Sequence, residues 1–132
     1  MASILIVDDN ENHRSLIEQE LSDEGYHVMV ARNYTDALKS LKRTRPDLVI
    51  TDIAMPGEDG IELLQDILAT DHELPVILYT GYSKYESVFM SWAADAYILK
   101  SCDLTELKNT ISRLLTERAA AYHPQERAAF AR

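Results

Sequence analysis

"SILIVDDNEN", residues 3–12, runs four apolar residues, Ile4-Leu5-Ile6-Val7, straight into Asp8 and Asp9. A strand that is apolar at every position, rather than at every second one, is covered on both faces, as in a parallel sheet between layers of helices. Its ending asks for an explanation. Adjacent carboxylates at the end of a core strand raise each other's pKa and cost free energy unless a cation meets them.

The same kind of run recurs along the chain. Strand-like segments stand at 4–7, 26–31, 48–51, 75–79 and 96–99. The first, third and fourth are almost continuously apolar, whereas the second alternates through Tyr26, Val28 and Val30 and reads as an edge strand. Between them the apolar spacing turns helical. The stripes are Leu16, Ile17, Leu21; Ala37, Leu38, Leu41; Ile61, Leu64, Ile67, Leu68; Tyr85, Val88, Phe89, Trp92; and Leu104, Leu107, Ile111, Leu114, Leu115. Gly25 marks a helix C-terminus, Pro46 and Pro75 lead into strands, and Asp103 with Glu106 resembles a capping box. Strands alternating with helices, joined by right-handed crossovers, predict a doubly wound five-stranded parallel α/β sheet with helices on both faces. Residues 1–118 account for this domain. The Ala-rich remainder, 119–132, broken at Pro124, reads as a C-terminal helix extension and tail.

Composition narrows the function. The 132 residues suit one domain, and 46% apolar with 27% charged residues is the balance of a folded globular protein. Twenty-two acidic against thirteen basic residues give a net charge of −9, which disfavours direct contact with nucleic acid or an anionic membrane. One cysteine, Cys102, makes no internal disulfide, and the apolar run at 4–7 is too short for a signal peptide or a membrane span. The expectation is a cytoplasmic protein.

In open α/β sheets the functional crevice lies beyond the carboxyl ends of the strands. There this chain places Asp8-Asp9, Thr51-Asp52, Tyr79-Thr80-Gly81 and Leu99-Lys100. Two carboxylates about 4 Å apart repel by about 4 kcal/mol at an effective dielectric of 20, so three of them need more than the single Lys100 ammonium. A hard divalent cation with oxygen ligands, Mg2+ before others, balances such a set.

With the acidic pair, the segment "TDIAMPGEDG" (51–60), Thr80 and the "YILK" run ending at Lys100 in this order, the chain resembles the receiver domain of bacterial two-component response regulators over residues 3–118. The resemblance implies the flavodoxin-like strand order 2-1-3-4-5 and a phosphoacceptor rather than an enzyme in the usual sense. It makes Asp52 the phosphorylated residue. It assigns Mg2+ to Asp9, Asp52 and the Ala54 backbone carbonyl, with Asp8 acting through coordinated water. Lys100 and Thr80 then hold phosphoryl oxygens, and Tyr97 follows Thr80 as a switch aromatic. Implied partners are a sensor histidine kinase or phosphotransfer protein and a downstream protein target docking on residues 82–118, with homodimer formation open as well.

Some positions depart from the family. Ser101 follows Lys100 where receivers commonly carry proline after a cis bond, and since a non-proline cis bond costs about 3 kcal/mol a trans link is expected. Ala54 offers no polar group to attacking water and Tyr82 is bulky, which together predict slow loss of the phosphoryl group. Rival readings have less support. A phosphatase of the haloacid dehalogenase type wants an aspartate where Ala54 stands, and a flavodoxin-like phosphate cradle conflicts with Asp8, Asp9 and Glu11. A receiver belonging to a longer transcriptional regulator or hybrid kinase stays open. Tyr85, Phe89 and Trp92 read as core, Cys102 as structural, and the scattered His13, His27, His72 and His123 suggest no metal site.

Overall fold

The computed structural model describes residues 2–52, 54–55, 58–71, 73–81, 94–100 and 103–122. Five parallel strands, β1 (Ser3–Val7), β2 (His27–Ala31), β3 (Leu48–Thr51), β6 (Val76–Thr80) and β7 (Ala96–Leu99), form one sheet in the order β2-β1-β3-β6-β7. Counted within that sheet alone, the order is the expected 2-1-3-4-5. A separate antiparallel pair, β4 (Ala54–Met55) and β5 (Glu58–Asp59), stands between Asp52 and the next helix, with Ala54 opposite Asp59. The described helices are α1 (Glu11–Asp23), α2 (Tyr34–Thr44), α3 (Gly60–Thr70) and α4 (Thr105–Tyr122).

Alternation along each strand divides the core in two. Leu5, Val7, Val49, Val76 and Leu78 pack with Ala37, Leu41, Leu63 and Ile67 of α2 and α3. Ile4, Ile6, Ile50, Ile77, Tyr79 and Ile98 pack on the other face with Ile17 and Leu21 of α1 and Leu107, Ile111 and Leu114 of α4. Two covered faces explain why β1, β3 and β6 are apolar at every position but one terminal residue each, Ser3, Thr51 and Thr80. β2 is an edge strand as its alternation indicated, and with a neighbour on one side only its Val30 stays 39% exposed. Leu16 corrects the expected stripe: it is 47% exposed. Ile17 and Leu21, one turn apart, set the buried line of α1, and Leu16 lies about 100° round the helix from Ile17. Leu63 belongs to the core although the expected stripe omitted it.

Caps account for where the helices begin and stop. Asn10 Oδ1 accepts the His13 N–H at 3.1 Å and Asn33 Oδ1 accepts the Asp36 N–H at 2.8 Å. Asp103 Oδ1 accepts the Thr105 N–H at 2.9 Å while Leu104 O takes the first intrahelical bond, so Asp103 caps the helix start from one residue outside it rather than pairing with Glu106 in the expected capping box. Gly25, at φ +96°, lies just beyond the C-cap Glu24; its N–H reaches Ser22 O and the Tyr26 N–H reaches Leu21 O, a Schellman closure. An added Cβ at Gly25 meets nothing within 4 Å, so the left-handed backbone alone determines the penalty. Gly25→Ala is therefore expected to lower stability by about 1–2 kcal/mol, read as a shifted urea midpoint with an unchanged slope.

At the opposite end of the sheet from the candidate site, Asp95 links β6 to β7. Its N–H donates to Val76 O at 2.9 Å and its Oδ2 accepts the Val76 N–H at 2.8 Å. Although Asp95 is an exposed residue, partial desolvation of its carboxyl pushes it above the usual carboxylate range, against the lowering effect of the Val76 bond and with added repulsion from Glu117. A raised native pKa means the group favours folding only while protonated, and that contribution is lost as pH rises through the native value. Asp95→Asn keeps an acceptor without the charge. Its Tm is expected to exceed that of the parent modestly at pH 7, and the gap to close in acid.

The sequence readings on Tyr82, Tyr85, Val88, Phe89, Trp92, Cys102, His72, His123, Pro124 and the Lys100–Ser101 link lie outside the described residues, as do the side chains of Ala54, Ile61 and Leu64.

Candidate functional site

Asp8, Asp52 and Lys100 each stand one residue beyond a strand, and each is still held by the sheet's hydrogen bonding. The Asp8 N–H donates to Ala31 O at 3.1 Å, the Asp52 N–H to Val7 O at 3.0 Å and the Lys100 N–H to Thr80 O at 2.7 Å. Val7 pairs with Thr51, Thr51 with Leu78, and Thr80 with Leu99, so these ends share one edge of the sheet. Asp8 and Asp52 are side by side on neighbouring strands. Lys100 comes from the far edge strand, and its long stem reaches back past β6.

The Lys100 Nζ lies 2.7 Å from Asp52 Oδ2 and 2.9 Å from Asp8 Oδ2. Both carboxylates are buried, Asp8 with 3% and Asp52 with 7% of its surface exposed, so water screens the pairs little. Burial by itself lowers the Lys100 pKa, but the bonds to Asp52 and Asp8 outweigh it and hold the ammonium above the ordinary lysine value. Asp8 is also fixed from its other side. Its Oδ1 accepts the Asn10 N–H at 2.9 Å, and its backbone carbonyl accepts Arg14 Nη1 at 2.8 Å.

Two buried carboxylates face one ammonium, and a third, Asp9, stands exposed beside them. At about 5 Å and an effective dielectric of about 20 the repulsion of one such pair is about 3 kcal/mol, so the cluster has negative charge to spare. That donor set, all hard oxygen, suits Mg2+, which takes one or two carboxylates and keeps several waters. Among the described residues no three carboxylate, thiol or imidazole groups gather closely enough to enclose an ion by themselves.

The other expected site residues take these places. Ala54 sits in β4, two positions past Asp52. Thr80 ends β6 and is fully buried. Tyr97 is half-buried, opposite Leu78 in register, and packs against the core on the α2 and α3 side. Three residues that the sequence did not single out as site residues also converge here. Asn10 and Arg14 brace Asp8, and His13 Nδ1 lies 3.2 Å from the Lys100 Nζ. The available signal was that α1 starts directly after the acidic pair, so its first turn has to pass over the strand ends.

Residues 4–112 match the response regulator receiver domain family. The chain belongs to that family. Among relatives of this receiver, the sporulation initiation phosphotransferase F of Bacillus subtilis is 34% identical over 114 residues, 85% of this chain and 92% of that one. TrrA of Thermotoga maritima, solved in complex with Mg2+-BeF, is 44% identical with a TM-score of 0.82, over 86% of this chain and 99% of that one. TrrA has also been solved in complex with the histidine kinase ThkA, with a TM-score of 0.80. The transcriptional regulatory protein ZraR of Klebsiella oxytoca is 32% identical over 92% of this chain, which spans 28% of that longer protein. Receivers of this family are signalling modules of two-component systems, and Mg2+ is bound within the family. No described helix of the receiver is long and apolar enough to cross a membrane.

Proposed function

We propose that Asp52 accepts a phosphoryl group in a Mg2+-dependent step and that the modified receiver signals to a protein partner. The observation that carries this is the buried Asp52 carboxylate held at 2.7 Å by Lys100 at the crevice edge of the sheet. An Asp52 oxygen attacks phosphorus, the bond from phosphorus to the donor's leaving group breaks, and an acyl phosphate forms. Lys100 then turns an N–H from Asp52 to a phosphoryl oxygen, and the Thr80 hydroxyl meets another. Asp9, Asp52 and the Ala54 carbonyl, with Asp8 through water, would hold the Mg2+, which supplies neutralisation of the transferring oxygens.

The added charge and acceptor oxygens bias Thr80 and Tyr97 between two arrangements, and the face at residues 82–118 reads the result. The donor is a sensor histidine kinase or phosphotransfer protein, as the TrrA complex with ThkA supports by analogy. The exposed Leu16, one turn beyond His13 on α1, offers such a donor an apolar contact beside the site. Residues 1–118 form the functional unit, 119–132 an appendage, and the setting is cytoplasmic; a homodimer of receivers is one form the output can take. The likeness to ZraR favours a second reading, in which this receiver governs a longer transcriptional regulator or hybrid kinase.

Incubation with acetyl phosphate followed by intact-mass measurement tests the proposal. A single phosphoryl adduct is expected with Mg2+ and none in excess chelator. An unmodified protein in both, or a Mg2+-independent adduct, would reject it.

A further inference from the structure

The Lys100 ammonium has three N–H groups, and among the described residues three groups meet it: Asp52 Oδ2 at 2.7 Å, Asp8 Oδ2 at 2.9 Å and His13 Nδ1 at 3.2 Å. An ammonium only donates, so Nδ1 must present its lone pair and the ring must carry its proton on Nε2. The ring's place is set locally. His13 lies in the first turn of α1, and its own N–H is capped by Asn10 Oδ1 at 3.1 Å, while the Asn10 N–H in turn donates to Asp8 Oδ1 at 2.9 Å. A short chain of bonds thus ties the helix start, the first carboxylate and the ammonium together. Without the imidazole, the head of a flexible four-carbon stem is left, among the described residues, with the two carboxylates, one of which is the reacting group.

We infer that His13 is a positioning residue for phosphoryl transfer, its Nδ1 holding the third N–H of Lys100. When Asp52 becomes an acyl phosphate, the ammonium keeps Asp8 and His13 as two anchors and its remaining N–H finds the phosphoryl oxygen without a search. This role rests on the reading of Asp52 as acceptor. The contact itself does not.

Two measurements on the full chain separate them. Without metal or phosphodonor, imidazole 15N spectra are expected to show His13 with an unprotonated Nδ1 whose resonance moves in Lys100→Met; a proton on Nδ1, or a resonance indifferent to Lys100→Met, overturns the inference. With acetyl phosphate and Mg2+, His13→Leu is expected to slow the maximal phosphorylation rate about tenfold with little change in half-saturating donor concentration. His13→Gln, which returns a carbonyl acceptor, is expected to recover most of that rate, and His13→Leu to add nothing in a Lys100→Met background. Equal losses in the Leu and Gln variants, or an undiminished loss without Lys100, overturn the positioning role. Because His13 is exposed, these substitutions leave the core intact. If the parent protein takes up no phosphoryl group, the acceptor reading and with it the positioning role fall, while the spectra still decide the contact.

Discussion

Asp52→Asn is expected to stay unmodified in acetyl phosphate and Mg2+ under conditions that label the parent fully, a loss of at least about a thousandfold in rate. An amide oxygen is not a nucleophile of carboxylate strength, so the bond to phosphorus cannot form there. The substitution is otherwise mild: asparagine is close in shape and keeps an oxygen for Lys100 to bond. Asp8 keeps its own bonds in the variant, Oδ1 to the Asn10 N–H and Oδ2 to Lys100, so the rest of the cluster stays in place. Intact mass reads the outcome, and the far-ultraviolet circular dichroism should match the parent. A full-strength adduct in the variant, mapped to Asp8 or Asp9, would move the acceptor to another residue.

Lys100→Met is expected to lower stability by about 2–3 kcal/mol in metal-free buffer. Removing one partner of a buried ion pair typically costs about 3–5 kcal/mol, and the Lys100 side chain, 16% exposed, lets some water in to soften that. Here one cation serves two carboxylates, so its loss leaves Asp8 and Asp52 facing each other. Mg2+ should return part of the difference by binding the native state, as a midpoint that rises with its concentration. The pH dependence follows from the raised Lys100 pKa. A group with a raised native pKa contributes fully below its unfolded value, about 10.4 for lysine, and loses that contribution only as pH rises through the native one. The gap between parent and variant is therefore expected to be flat from about pH 6 to 9. Equal stabilities with no response to Mg2+ would mean that the ammonium is not what neutralises this site.

Much of the fold was legible because its signals are local. Continuous apolar runs told of two covered faces, Gly25 marked a helix end, and the alternation through Tyr26, Val28 and Val30 placed an edge. The meeting of Asp8, Asp52 and Lys100 could be read from the sequence because a parallel sheet brings all its strand ends to one side. Details that depend on rotation about a helix axis could not. Leu16 and Ile17 are indistinguishable by hydropathy, and only packing shows that one faces solvent. The same rotation carries His13 to Lys100, 87 positions away, which no spacing rule within α1 encodes. Nor did adjacency reveal how differently Asp8 and Asp9 are used: Asp8 continues the backbone ladder and is buried, while Asp9 is exposed.

The ammonium that meets Asp8 is 92 positions further along the chain, and the one that meets Asp52 is the same group, 48 positions on. In synthesis from the N-terminus both acids are made before their counter-ion, and the strand that carries it must dock before the edge is electrically complete. A nascent or clipped chain ending short of that strand displays uncompensated anions where a finished one displays a bridged cluster.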